Sequence, residues 1–157
     1  MAQHPMTKIG KKILDDELDH LLKVDREAIK TAIAEARAHG DLKENAEYHS
    51  AKEKQSHIEG RIAELQAKVA SANVIDIASV KNDKIVFGAT ITLYNVDKEE
   101  TRTIQIVGED EAQSGQDKIS YTSPLGKALI GKEVGDEVVV KAPKGDVNYA
   151  IEDFEYK

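Results

Sequence analysis

The sequence predicts an α+β protein in which an antiparallel two-helix coiled-coil hairpin precedes a small antiparallel β-sheet domain carrying one short helix. Three observations predict it. Apolar residues recur at alternating steps of four and three on both sides of Gly40. From about Val74 the repeat changes to two. Between the later strands, Ser123 to Gly131 carries the start and stop signals of a single helix.

The first helix rests on Leu14, Leu18, Leu21, Asp25, Ala28 and Ala32, with Leu22, Ile29, Ile33 and Ala36 widening the stripe. The second rests on Ala51, Gln55, Ile58, Ile62, Leu65, Val69 and Ala72. Neither segment has an internal proline, and both are rich in Ala, Glu, Lys, Leu and Gln, so local propensity agrees with the pattern. A lone helix would leave such a stripe wet. Folding back at Gly40, the helix stop, lets each stripe cover the other. At about 1.5 Å per residue, roughly thirty residues make an arm about 45 Å long, enough to reach beyond a small domain. Ile29 and Ile33 are the residual apolar positions that would permit weak self-association of an otherwise monomeric chain.

Beyond the arm, Ile85 to Tyr94, Thr101 to Val107, Glu137 to Lys141 and Val147 to Ile151 read as β-branched strands separated by turn signals such as Gly145-Asp146. In Ser123-Pro124-Leu125-Gly126-Lys127-Ala128-Leu129-Ile130-Gly131, Ser is the N-cap, Pro the first helical residue and Gly the stop. The expected organisation is therefore an arm over 1–78, a linker over 79–83 where polar residues collect, and a sheet domain over 84–157.

Composition removes several classes of function. The chain of 157 residues has no cysteine, hence no disulfide or thiolate metal site, which fits a reducing compartment. Met1 to Gly10 lacks the apolar core of a signal peptide, and no apolar run approaches the roughly 18 residues that span a bilayer, so a soluble cytoplasmic protein is expected. The net charge of −7 opposes nonspecific coating of nucleic acid. Both halves are acidic: residues 1–76 hold 12 basic and 14 acidic side chains, and the rest hold 10 and 15. Arg37, Lys43, Lys52 and Lys54 near the tip form a modest basic set, read either as a solvated coiled-coil flank or as a contact for one RNA strand.

The tip itself is His39-Gly40-Asp41-Leu42-Lys43-Glu44-Asn45-Ala46-Glu47-Tyr48. Asp41 and Glu44 fit a capping box, each carboxylate accepting from the other residue's amide at the start of the second helix. A carboxylate pair at i and i+3 also converges on one solvent-facing point, as required to share a hydrated Mg²⁺ with phosphate oxygens. Two carboxylates hold such an ion only weakly, so a partner would have to supply the remaining ligands. The five histidines have no metal-ligand spacing and read as surface residues. Tyr48, within two turns of the tip, reads equally as a packing residue and as a contact residue.

Asp41 to Tyr48 on the hairpin, followed by Ser123 to Lys132 in the second half, resembles the bacterial transcript cleavage factors of the Gre type over nearly the whole chain. The resemblance implies a coiled coil that enters the secondary channel of RNA polymerase and an FKBP-like domain that docks at the channel rim. It further implies that, when polymerase backtracks, the tip stimulates cleavage of the extruded 3′ end of the nascent RNA by polymerase's own active centre, so the protein is not itself an enzyme. On this resemblance Asp41 and Glu44 are the catalytic carboxylates and help hold a Mg²⁺ shared with polymerase, which the free protein does not bind tightly. Tyr48, Arg37, Lys43, Lys52 and Lys54 are candidates to contact RNA or polymerase, and Ser123, Pro124, Leu125 and Lys127 candidates for docking. The alternative in the same family is a channel-binding regulator that inhibits or retunes polymerase without cleavage. A third reading, a prolyl isomerase or chaperone, is disfavoured because the aromatics of the second half are few.

Overall fold

The structure is a computed structural model and describes residues 4–40, 45–113, 115 and 117–157. Two compact units divide it: Lys12–Ser71 forms the first, and residues up to Lys11 together with Ala72–Lys157 form the second. Among the described residues no helix is long and apolar enough to cross a membrane.

In the first unit, α1 (Lys8–His20, entering from the second unit at Lys11), a π-turn (Leu21–Asp25) and α2 (Arg26–Ala38) follow one another, and α3 (Ala46–Ala70) returns against the π-turn and α2. Every predicted seam position of α3 from Ala51 to Val69 is buried or half-buried, with Ala51, Ile62 and Leu65 fully so. The outgoing helix departs from expectation in one respect. Its buried positions are Leu14, Leu21, Ile29 and Ala36, whereas the predicted Ala28 is exposed. The cause is the π-turn. Arg26 N–H donates to the Leu21 carbonyl, five residues back, so the turn contains one residue more than an α-turn and moves the stripe on by one. Ile29 is thereby in the seam and Ile33 half-buried, which removes Ile29 as a residual surface position for self-association.

Two bidentate ion pairs cross the hairpin. Arg61 donates to Glu17 at 2.6 and 3.0 Å, and Arg26 to Glu59 at 2.9 and 2.8 Å. The planar guanidinium matches the carboxylate fork, so these pairs fix helix register more than they add stability; partly exposed pairs contribute about 0–1 kcal/mol. The hydrogen bonds to Glu17 hold the Arg61 guanidinium above its ordinary pKa, against a smaller lowering by burial.

The second unit contains a five-stranded sheet of β3 (Thr90–Asn95), β4 (Glu100–Val107), β5 (Lys118–Ser120), β6 (Glu137–Ala142) and β7 (Gly145–Glu155), in the order β5-β4-β3-β7-β6. Alternation drives it: Ile91 and Leu93 of β3, Ile104 and Ile106 of β4, and Ile151 of β7 point into one core with Ile85, Ala89, Leu129 and Val138. The sheet is mixed rather than wholly antiparallel, because β5 pairs parallel to β4 through a connection containing a second short helix, α4 (Glu109–Ala112).

The predicted strand from Ile85 to Tyr94 is shorter than expected. Ile85 exchanges hydrogen bonds with the segment that follows the helix Pro124–Leu129, its N–H donating to Lys132 O at 2.8 Å and its carbonyl accepting from Gly131 N–H at 2.7 Å. Gly88 then turns the chain at φ +94°, and pairing with β4 and β7 begins at Thr90. The Tyr156 hydroxyl holds the entry to this turn, donating to Lys84 O at 2.8 Å and accepting from Val86 N–H at 3.1 Å. Burial raises the Tyr156 pKa, and the Val86 bond partly offsets the rise.

The helix α5 (Pro124–Leu129) forms as the sequence predicts. Ser123 Oγ accepts from Gly126 N–H at 3.0 Å and donates to Ser120 O at 2.7 Å, Pro124 opens the helix, and Leu129 is fully buried. Gly126 sits where no side chain fits, since a Cβ there would lie 2.3 Å from the Ser120 carbonyl oxygen.

The strand β1 (His4–Met6) pairs in parallel with β2 (Ala72–Val74), which groups the first residues with the sheet unit although the sequence reading runs 1–78 as one segment. Next to this pair, Thr7 Oγ1 accepts from Gly10 N–H at 3.0 Å, capping α1, and donates to the carboxylate of Glu111 on α4. Glu111 is 1% exposed and also accepts from Lys118 Nζ at 2.9 Å. Pairing offsets the cost of burying that charge.

Leu65→Ala is expected to lower the unfolding free energy by about 2–5 kcal/mol in a urea melt, the cost of a cavity at a fully buried site. Gly126→Ala is expected to cost about 1–3 kcal/mol by overpacking, whereas Lys127→Ala on the exposed face of the same helix stays within about 0.5 kcal/mol.

Candidate functional site at the hairpin tip

The tip is built from two helix ends. At the end of α2 the hydrogen bonding tightens by one residue: His39 N–H donates to Ala36 O at 3.2 Å and Gly40 N–H to Arg37 O at 3.3 Å. Gly40, at φ +113°, then takes the chain out of the helix in a conformation that disfavours a side chain. Asp41, Lys43 and Glu44, the predicted carboxylate pair and one of the predicted basic contacts, lie outside the described residues.

Asn45 is the N-cap of α3, with extended backbone at φ −82° and ψ 99°. Its Oδ1 accepts from Tyr48 N–H at 3.0 Å, and its Nδ2 donates to the Ala36 carbonyl at 2.6 Å. Partner chemistry fixes the orientation of the amide, since an N–H requires the oxygen and a carbonyl requires the nitrogen. The capping box read for Asp41 and Glu44 falls on residues outside those described. The cap that α3 uses is Asn45, four positions beyond Asp41, and helix geometry places its acceptor within reach of the amide three residues on. The signal was in the sequence, an Asn followed by Ala and Glu at the start of an Ala-rich helix, but the acidic tetrapeptide offered a competing cap.

Glu47 in the first turn of α3 suits the positive end of the helix dipole, and His39 Nε2 lies 3.7 Å from its carboxylate across the tip. Tyr48 is half-buried, its ring edge-on to His49 with centroids 5.6 Å apart. Below the tip, Ala32, Ala36, Ala46 and Ala51 leave an open groove of about 460 Å³ between α2 and α3. Lys54 lines that groove with Glu35, His39 and Glu47, whereas Arg37 and Lys52 do not. Lys52 instead donates to Gln55 at 3.2 Å. Two residues apart on a helix, Lys52 and Lys54 face different directions and do not form one patch.

The second predicted set divides in the same way. Ser123 is used as a helix cap and Leu125 packs against the core, while Pro124 and Lys127 are exposed. Lys127 and Lys132 border a groove of about 340 Å³ with Ile130 and Val139, both exposed apolar residues. Among the described residues, no three His, Cys, Asp or Glu side chains converge as a metal site.

Comparison with known proteins identifies this arrangement. Residues 4–74 match the family description "Transcription elongation factor, N-terminal", and residues 80–156 match "Transcription elongation factor, GreA/GreB, C-term". Over 98% of this chain and 96% of its own, transcription elongation factor GreA of Francisella philomiragia is 56% identical. The protein of the same name from Thermodesulfovibrio yellowstonii is 58% identical over 94% of this chain and 93% of its own. Among solved structures, the GreA factor homolog 1 protein of Thermus thermophilus aligns over 98% of this chain and 99% of its own at 25% identity, with a TM-score of 0.45. The assignment rests on the sequence matches. A helical hairpin with a mixed-sheet unit, matched over both parts, places the chain in the class of transcription elongation factors. It belongs to the GreA/GreB family.

Asn45→Ala is expected to lower stability by about 1–2 kcal/mol in urea melts followed at 222 nm, the usual cost of a lost N-cap. His39→Ala and Lys52→Ala, at exposed positions, are expected to stay within about 0.5 kcal/mol.

Proposed function

We infer that this protein acts in the cytoplasm on a stalled, backtracked RNA polymerase, reaching through the secondary channel and stimulating cleavage of the 3′ end of the nascent RNA by the polymerase active centre. The observation that carries this reading is the tip. Of two helices held in register by an apolar seam, one ends at Ala38 and the other starts at Ala46, and the sequence between them contains Asp41 and Glu44. A helical hairpin whose connecting sequence contains two acidic residues, in a chain of acidic overall charge, suits insertion into another protein's site better than coating of nucleic acid.

The donor set fits Mg²⁺ in kind and falls short in number. Carboxylate oxygens suit a hard, mostly hydrated cation, and two of them leave positions for ligands from polymerase. When held there, the ion polarises a phosphodiester and lowers the pKa of a bound water. In this scheme Asp41 and Glu44 share the ion with polymerase and orient the attacking water, while Tyr48, Arg37, Lys43, Lys52 and Lys54 are the candidates to contact RNA or the channel. In the second unit, Pro124 and Lys127 are the exposed members of the proposed docking surface. The free protein acts as a monomer that binds Mg²⁺ only weakly.

Asp41→Asn tests the scheme, because Asn preserves polarity and size while removing the charge. With purified backtracked polymerase and Mg²⁺, the substitution is expected to lower the cleavage rate by more than about a hundredfold, beyond the loss seen for a residue that merely orients a ligand, with melting and polymerase binding unchanged. Cleavage at the unsubstituted rate would remove Asp41 from the reaction. Competition for the channel without cleavage by either form would favour the regulator that acts by occupancy alone.

A further inference from the structure

We propose that Asn45 is a positioning residue for the tip: its side-chain amide joins the last turn of α2 to the first turn of α3 and so sets the separation and direction of the two ends between which the carboxylates are carried. The inference rests on the functional reading above. One side chain performs two separable tasks. Its oxygen accepts from Tyr48 N–H at 3.0 Å, as an N-cap does within a single helix. Its nitrogen donates at 2.6 Å to the carbonyl of Ala36, nine positions earlier on the other helix. The second bond has no part in capping α3. It reaches one of the final carbonyls of α2, which also accepts from His39 N–H.

The neighbourhood explains why such a bond is needed. Apolar packing fixes the helices along their length, but near the tip the seam narrows to Ala36 and Ala51, and the small side chains of Ala32, Ala36, Ala46 and Ala51 leave an open groove. Small side chains bury little area and resist sliding weakly. A directed hydrogen bond across the narrow end supplies the restraint that packing does not. A misplacement of about 1 Å at a reacting centre costs on the order of a hundredfold in rate, so a clamp one residue from the acidic segment has a direct route to the reaction.

The two tasks can be tested apart. Asn45→Ser leaves a competent N-cap, but its hydroxyl ends one atom short of the amide nitrogen and is expected to lose Ala36. Asn45→Asp keeps the shape and the cap, yet turns an acceptor toward the Ala36 carbonyl. Both variants of the full chain are to be assayed on backtracked polymerase over a range of factor and Mg²⁺ concentrations. The expected result for both is a maximal cleavage rate about tenfold lower and a higher Mg²⁺ concentration for half-maximal rate. The factor concentration for half-maximal effect and the melting temperature are expected to stay unchanged. A wild-type rate and Mg²⁺ dependence in both variants would overturn the proposal, as would a loss of rate that tracks melting or binding. NMR of the free protein gives the independent arm: the Asn45 side-chain amide is expected to exchange with solvent at least about tenfold more slowly than a free Asn amide, and Tyr48 N–H to remain protected in Asn45→Ser. An Asn45 amide that exchanges freely would also overturn the clamp. If the unsubstituted protein stimulates no cleavage while its Asn45 amide is protected, the proposed reaction fails and the clamp survives.

Discussion

The arm depends on mutual burial of two narrow apolar stripes. Leu21, Ile29 and Ala36 on the outgoing strand of the hairpin, and Ala51, Ile62 and Leu65 on the return, are each on a helix too thinly apolar to stay dry alone. Each stripe is narrow, so register matters at every turn. The π-turn at Leu21–Asp25 shows how the register is kept: one extra residue moves the buried stripe from the phase of Leu14 and Leu21 to that of Ile29 and Ala36. The forked pairs Arg61–Glu17 and Arg26–Glu59 reinforce the alignment from outside, where solvent weakens their energy but leaves their geometry specific.

The sheet unit meets a different constraint, the satisfaction of backbone groups around a small core. Ile85 and Ala89 belong to that core although neither lies in a ladder strand. Their backbone bonds go instead to Lys132, Gly131 and Ile106. The motif from Ser123 onward has the same logic, with a hydroxyl serving two backbone partners and a glycine admitting a carbonyl where a methyl group would collide. These features account for the residue types at Ser123, Leu125 and Gly126 without a partner. Pro124 is explained by the helix start, and the exposed Lys127 is left as the position whose identity neither the core nor the helix start explains.

Near the amino terminus, Thr7 acts at two levels. It caps α1 through the Gly10 amide and binds the buried carboxylate of Glu111, which Lys118 also neutralises. With the β1–β2 pair, this holds the first described residues within the second unit by directed bonds. Polar networks of this kind place a segment specifically because unsatisfied members are costly.

What the sequence determined by itself was periodic or punctuated. The α3 seam, the break at Gly40 and the Ser-Pro start of α5 were legible because each depends on residues within one or two turns. Tertiary structure decided the rest. The phase shift that buries Ile29 and exposes Ala28 needs the opposite helix to favour one face over another. The shortening of the strand before Thr90 follows from hydrogen bonds between Ile85 and a segment more than forty residues away. The pairing of β1 with β2 and the burial of Glu111 join positions that no local pattern connects. At the tip, the role of Asn45 was decided by tertiary structure, because its amide reaches Ala36 across the hairpin as well as capping α3, a bond that exists only once both helices are in place.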